Sequence, residues 1–457
     1  MSLTLSKIHF TKKSERAVYV TSSLAKQLRL RGGRTVDVRL GGKTVSAEVR
    51  PLRRKGKHLY LPYLLRESLR APKTGSIYLA SSEGGTTVRL GPLIGILTSG
   101  GGGLDRPFGT RTYMIKEFLR AGSEKAYFFA FTPRDVHWDQ NTVLGYFLNS
   151  DGSWSRKTVP LPDVVYNRLA SRSADVSHSM EQLKQRFLRR NIPVFNWSFY
   201  NKWDVYRMLE DEPDAYKHVP ESTTNPTPER LKEMLQRHKF IYLKPTGGSL
   251  GKGIYRITYA PGKGYFARFR RGGKNVLLRF TKFSSLVAML GAAGGRLRRY
   301  VAQQGIRLIE IDGCPIDFRF HLVRNNENEW VVAGVGAKMA GRGSVTTHIK
   351  NGGTLMTPQQ ALGRVFGDDA GKVLERMKDV SIKLADAIQS NSRHHVGELG
   401  FDLGVDQNEA IWMFEANSKP GRSIYKHPAL KEEGRETLSL VFQHCLYLAK
   451  FRKRGNA

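Results

Sequence analysis

The chain has 457 residues and 40% hydrophobic content, enough for several packed domains and too apolar for a disordered polymer. Its 74 Lys and Arg against 40 Asp and Glu leave a net charge of +34, which suits either a polyanionic partner or a generally basic, solubilising surface. Two cysteines, Cys314 and Cys445, exclude a disulfide framework and a zinc cluster, and neither a membrane-spanning apolar run nor a secretory leader is legible, so the expected location is cytoplasmic.

Residues 1–90 read as a β-rich N-terminal domain of short strands (RAVYV, TVDVRL, TVSAEV, HLYLP, SIYLA, TTVRL) broken by Gly-Gly at 32–33, 41–42 and 84–85. Residues 91–200 form an α/β domain opening on GPLIGILTSGGGG, a buried strand feeding a glycine loop. That loop is followed by Leu104, Asp105, Arg106 and Pro107 rather than a helix, which argues against a dinucleotide site. A helix (RTYMIKEFLRAGSEK) and strands (AYFFAF, DVVYNRL, IPVFNW) complete it. Residues 201–430 carry the informative motifs. Residues 431–457 are expected to be an amphipathic closing helix with a basic tail. No internal repeat of fixed period stands out.

KFIYLKP, 239–245, is a strand by composition and ends on Lys244. Gly247, Gly248, Ser249, Gly251, Lys252 and Gly253 follow as a flexible tip before IYRI resumes the strand pattern. Glycines let backbone N–H groups converge on an anion, so the stretch is either a lid over phosphates or a plain tight turn. It is not a Walker A loop.

GELGFDLGVDQNEAIWMFEANSKPGR, 397–422, reads as two strands around an Asn408-Glu409 turn. That register sets Asp402 opposite Glu415, with Asn417 on the same face and Gly400 leaving space opposite it. Opposed carboxylates repel unless a cation lies between them. Hard oxygen donors beside a phosphate loop suit Mg²⁺ held between protein and nucleotide.

A strand lysine with a glycine lid, followed by D-x12-E-x-N, resembles the ATP-grasp superfamily. EANSKPGR is similar to the corresponding ending in the glutamate ligases that extend ribosomal-protein tails, and DFRFHLV to their D-x-R strand. AKMAGRGSVTTHIKNGG is similar to their segment of a basic residue, a short loop and a Gly-Gly ending. The overall layout looks like the YheC/YheD endospore coat-associated ATP-grasp family. The resemblance implies an α/β (α+β ATP-grasp) fold binding ATP with Mg²⁺ or Mn²⁺. It implies phosphate contacts from Lys244 and the Gly247–Gly253 lid, with Lys202 reaching the nucleotide from a neighbouring domain. Gln303, Gln304 and Gly305 would meet adenine at the hinge strand. Asp402, Glu415 and Asn417 would hold the metal. Arg319, Lys338 and Arg422 would stabilise transferring oxygens. Lys338 stands where relatives usually carry arginine and His348 where they usually carry asparagine, departures that bear on ligation more than on nucleotide binding.

The leading expectation is therefore a carboxylate–amine ligase working through an acyl phosphate. Its substrate would be an acidic peptide or polymer of sporulation or the cell envelope. A second is an ATP-binding coat-associated structural protein without ligase activity. A third is a basic nucleic-acid binder. Cys314 is expected to be structural rather than catalytic.

Overall fold

The computed structural model describes residues 2–103, 105–122, 124–246, 253–291, 296–344, 347 and 352–452, without the side chains of Lys202 and Arg296. At the N-terminus seven strands close a barrel. The strands Thr35–Leu40 and His58–Leu61 alternate inward and outward side chains, with Val36, Val38, Leu40, Leu59 and Leu61 buried. Two helices that strand patterning did not suggest, Ser22–Leu28 and Tyr63–Leu69, lie between strands and seat Leu24, Leu28, Leu65 and Leu69 in the core at 0% exposure.

Those helices reveal a repeat that the sequence reading did not find. Strands Ser2–Phe10, Ala17–Thr21 and Thr35–Leu40 recur, 41 positions later, as Lys43–Leu52, His58–Leu61 and Gly75–Ser81. Pairing recurs with them. Lys7 pairs in parallel with His58, as Glu48 does with Ala17, and Ser2 pairs antiparallel with Ser81, as Lys43 does with Leu40. Each helix ends on a left-handed arginine, Arg29 or Arg70. Identity between the copies is confined to Tyr19/Tyr60, Leu24/Leu65, Leu28/Leu69 and Arg29/Arg70. The copies agree in burial pattern rather than in residue identity.

The second sheet has parallel strands at its centre. Leu93–Leu97, buried at all five positions, lies between Tyr127–Phe131 and Val164–Asn167. The third sheet is antiparallel, in the order Ser222–Thr224, Tyr300–Gln304, Phe240–Pro245, Tyr255–Ala260, Gly264–Arg271 and Lys274–Phe280. The chain enters and leaves this sheet side by side, with Gln304 N donating to Glu221 O at 2.8 Å and Glu221 N to Gln304 Oε1 at 3.0 Å.

The fourth sheet orders Thr354–Met356, Trp330–Met339, Cys314–Arg324, Glu398–Val405 and Ile411–Asn417, with the helix Ala370–Ser390 packed on one face. The last helix, Lys431–Leu448, is amphipathic in its first turns and mostly buried beyond them. Thr437, Leu438, Leu440, Val441, Phe442, His444, Cys445 and Leu446 are all buried between the second sheet and the fourth, while Lys431, Glu432, Arg435, Glu436 and Ser439 form an exposed polar stripe. Both cysteines are free and buried. Among the described residues no helix is long and apolar enough to cross a membrane.

Candidate functional site

The third and fourth sheets face each other across a cleft. On the third, Ile241 and Leu243 are 0% exposed and pack among the residues of its own core, so Tyr242 and Lys244 point the opposite way. Lys244 Nζ donates to Gln303 Oε1 and lies 5.7 Å from the ring centres of both Tyr242 and Phe414. Phe414 belongs to the fourth sheet, so the lysine stands in the cleft. Register continues the row across Arg256 and Arg268, paired in turn with Tyr242. Burial pushes the Tyr242 phenol up, the charges of Arg256 and Arg268 pull it down, and Asp317 of the opposite wall adds to the rise. Arg268 therefore sits within reach of the cleft.

Gln303 was expected at adenine. It is 1% exposed, and its amide is fully engaged: the nitrogen donates to Tyr206 Oη at 2.6 Å and Ser222 Oγ at 3.2 Å, while the oxygen takes Lys244. Its side chain positions the lysine instead. The Gln304 amide oxygen accepts from Glu221 N, and Gly305 packs so closely on Phe240 that an added Cβ would lie 2.2 Å from the ring. Gly253 has φ +72, and an added Cβ there would lie 3.0 Å from Pro245. Gly247, Gly248, Ser249, Gly251, Lys252, His348 and the side chain of Lys202 lie outside the described residues.

On the fourth sheet one face carries the charged groups. Arg319 forks onto Asp402, Nε to Oδ1 and Nη2 to Oδ2, both at 2.8 Å. Lys338 Nζ lies 2.9 Å from Asp402 Oδ1 and 2.9 Å from Asp317 Oδ1, and Thr347 Oγ1 donates to Asp317. Burial works against ionised Asp402, but Arg319 and Lys338 outweigh it and hold the carboxyl well below its usual range. Asp317 shifts the other way, because burial and the neighbouring Asp402 exceed the pull of Lys338.

Asp402 does pair with Glu415, and Gly400 with Asn417. The route to that register differs from the expected two-residue turn. The strands end at Val405 and Ile411, and Asp406 closes the longer turn by accepting from Asn408 N and Ala410 N, each at 2.9 Å. A bulge between Asp402 and Leu403 then shifts the pairing by one residue. Two further expectations are corrected. The space at Gly400 is filled by Pro420, 2.6 Å from an added Cβ. The cations that keep Asp402 ionised are Arg319 and Lys338, so a metal is not needed to hold the hairpin together.

The donor set still fits a hard cation. Asp402 is kept ionised, Glu415 stands directly across from it, and the Asn417 amide shares their face. Among the described residues no three acidic, histidine or cysteine side chains converge. A metal here would thus rest on two carboxylates, an amide oxygen and oxygens of the ligand. Glu415 also adds its charge to the environment of Tyr206, whose phenol burial pushes up to about 12.

Further along the same face lies a buried network that the sequence reading missed. Glu398, 0% exposed, takes Arg168 Nη1 at 3.0 Å, His321 Nε2 at 2.8 Å and the Tyr166 hydroxyl. Tyr425 links His321, at 3.1 Å, to Thr437, at 2.7 Å. The signal was available: in GELGFDLG, alternation puts Glu398 on the face of Asp402, and a lone glutamate in a buried strand needs partners.

The run after Asn417 is an anchor. Ser418 Oγ donates to Ser198 O at 2.6 Å, Lys419 Nζ to Asp175 Oδ2 at 2.6 Å, and Asn196 joins Glu398 O and Ser418 O. Arg422, expected at the reacting oxygens, lies over Phe118 and Tyr425 with Nη2 donating to Gly434 O at 2.5 Å and Nε 4.0 Å from Glu117. Its buried Nη1 finds no acceptor among the described residues.

Two sheets closing on a lysine from one side and paired carboxylates and arginine from the other form the architecture of an ATP-grasp protein. A model of YheC/D-like ATP-grasp matches residues 191–448. The chain is 35% identical over 370 residues to the endospore coat-associated protein YheD of Bacillus subtilis (strain 168), covering 80% of each chain. It is 23% identical over 333 residues to the endospore coat-associated protein YheC of the same organism, covering 70% of this chain and 88% of that one. Among solved structures it is similar to D-alanyl-alanine synthetase A from Vibrio cholerae, at 12% identity and a TM-score of 0.44, covering 78% of this chain and 98% of that one. The chain belongs to the YheC/D-like ATP-grasp family.

Proposed function

We propose that this protein is an ATP- and Mg²⁺-dependent carboxylate–amine ligase. The observation that carries the reading is the cleft itself, where Lys244 on one wall faces the Arg319–Asp402–Lys338–Asp317 cluster and Glu415 on the other. Lys244 and the glycine lid would hold the nucleotide phosphates, with Lys202 contributing from its helix and the Gln304–Gly305 segment bordering the base. Asp402, Glu415 and Asn417 would hold Mg²⁺, which when bound neutralises phosphate charge. Arg319 would face the carboxylate oxygen that attacks the terminal phosphate and the acyl phosphate oxygens that form from it. An amine then displaces phosphate. No side-chain nucleophile is required; positioning and charge neutralisation supply the rate.

The acceptor we assign is an acidic peptide or polymer of the spore coat or cell envelope, which suits the +34 charge. The test is phosphate release from ATP with candidate acidic peptides, with mass spectrometry of the product. Carboxylate-stimulated release with a matching mass gain supports the ligase. ATP protection without ADP formation in the presence of every carboxylate and amine tried refutes it.

A specific observation favours a second reading, nucleotide binding without ligation. Lys338 is committed to two carboxylates at 2.9 Å, so it works as a clamp within the protein rather than as a donor aimed at a ligand. Lys338→Arg separates the two. A gain in ATP turnover shows that the lysine limits chemistry; unchanged binding with no turnover in either form favours the binding-only protein.

A further inference from the structure

The basic charge has a focus outside the ATP-grasp cleft. In the N-terminal barrel, the segments 11–16 and 52–57 are the same loop of the two repeat copies. Together they carry Lys12, Lys13, Arg16, Arg53, Arg54, Lys55 and Lys57, all exposed, against one acid, Glu15. The repeat places Tyr19 and Tyr60 directly opposite each other across neighbouring strands. Each tyrosine holds the matching cation of its own loop. Lys13 Nζ is 2.9 Å from the Tyr19 hydroxyl and 4.7 Å from its ring centre, and Arg54 donates to the Tyr60 hydroxyl with its guanidinium 5.9 Å from that ring. A cavity of about 370 Å³ lies between them, lined by the pairs Thr11/Leu52, Lys13/Arg54 and Tyr19/Tyr60 together with Arg53.

The geometry points to a binding site for a linear phosphate polymer between these two loops of the barrel. Two cations fixed over aromatic rings flank the cavity, and the Tyr60 hydroxyl, which accepts from Arg54, keeps its proton to donate to an oxyanion. The remaining five cations extend outward along both loops, more charge than one phosphate uses. The two loops are alike in the Lys13/Arg54 and Tyr19/Tyr60 pairs but not throughout, since the Tyr19 hydroxyl donates to Glu15 at 2.6 Å and the position matching Glu15 is Gly56. Stacking of nucleobases is disfavoured, since His9 already stacks on Tyr60 at 4.5 Å and 19° while Arg54 lies at 5.9 Å from the same ring. Phosphate, not base, is what the site is equipped to read.

The test is fluorescence anisotropy of a labelled, size-defined inorganic polyphosphate with the full chain. Lys13→Gln/Arg54→Gln should lose on the order of tenfold or more in affinity, the effect of removing one or two charged hydrogen bonds. It should also flatten the salt dependence. Lys372→Gln/Lys431→Gln, with the same charge change on exposed helices, should bind as the parent does. Arg53→Gln/Lys55→Gln, whose side-chain charges make no ion pair among the described residues, should lose a few-fold and keeps the test sound should the first variant unfold the barrel. Equal losses in the helix and loop variants would reduce the site to diffuse charge and overturn the proposal. So would polyglutamate of equal charge binding as tightly, or a single-stranded oligonucleotide binding more tightly than polyphosphate.

Discussion

Lys338→Met removes the cation that lies between Asp317 and Asp402, 2.9 Å from each. Asp402 keeps its two-point contact with Arg319 at 2.8 Å, so the loss falls on Asp317, whose one described cationic partner is Lys338. Removing one member of a buried ion pair costs about 3–5 kcal/mol, and with the side chains 14% exposed and Asp402 still paired, the lower end, about 3 kcal/mol, applies at neutral pH. The penalty has a definite pH dependence. Asp317 already has a raised pKa; without Lys338 it rises further, so the penalty is full above that folded pKa and shrinks as pH falls through it and the carboxyl takes up a proton. Several sheets make a single unfolding free energy ill-defined, so the assay is native-state hydrogen exchange of the strands Cys314–Arg324 and Glu398–Val405. A double-mutant cycle with Asp317→Asn should recover most of the loss, and Mg²⁺ should protect these strands more in Lys338→Met than in the parent. A coupling below about 0.5 kcal/mol between the two sites would refute the clamp, because contacts of this kind couple by more.

Lys244→Ala should weaken ATP binding by about 1.5–3 kcal/mol by calorimetry while leaving the fold intact. Unchanged affinity would remove its phosphate role. Arg319→Ala should depress turnover even at saturating substrate, whereas neutralising exposed Arg271 and Lys274 should raise KM and respond to salt; Arg268→Ala should follow Arg319 because it lies within reach of the cleft. The Glu398 carboxyl is held down to about 2, burial being outweighed by Arg168 and His321. Its folded pKa is depressed, so it contributes about 3 kcal/mol above pH 4.5 that is lost as pH falls toward 2. Glu398→Gln should erase that acid-sensitive part of hydrogen-exchange protection; an unchanged acid profile would show that the network does not depend on the charge.

The strands and helices around the cleft were legible because their signals are local. KFIYLKP ends on its lysine, and the apolar alternation of 398–417 sets Asp402 against Glu415. Even there the agreement has a hidden step: a longer turn and a one-residue bulge compensate, and no turn rule gives that combination. What sequence could not supply was the company of each side chain. Lys338 reads as a catalytic donor until the strand pairing puts Asp317 opposite it. Gln303 reads as a base contact until Tyr206 and Ser222 are seen to take its amide. Arg422 sits in a glycine-bordered run like its neighbours, yet ring contacts with Phe118 and Tyr425 draw it toward the helices. The barrel repeat escaped because burial, which its copies share, is not written as identity.

The clasp between Glu221 and Gln304 has a mechanical meaning. A sheet that departs from and rejoins the chain at adjacent residues is a pendant lobe, swung from one narrow neck, as hinged domains are. The opposite wall has no such freedom, because Asn196, Ser198 and Asp175 moor the segment beyond Asn417 to the second sheet. A rotation about that neck would carry Lys244 with the lobe and leave Asp402 and Glu415 in place. Such a rotation would set the distance across which phosphates are gripped without moving the loops of the fixed wall.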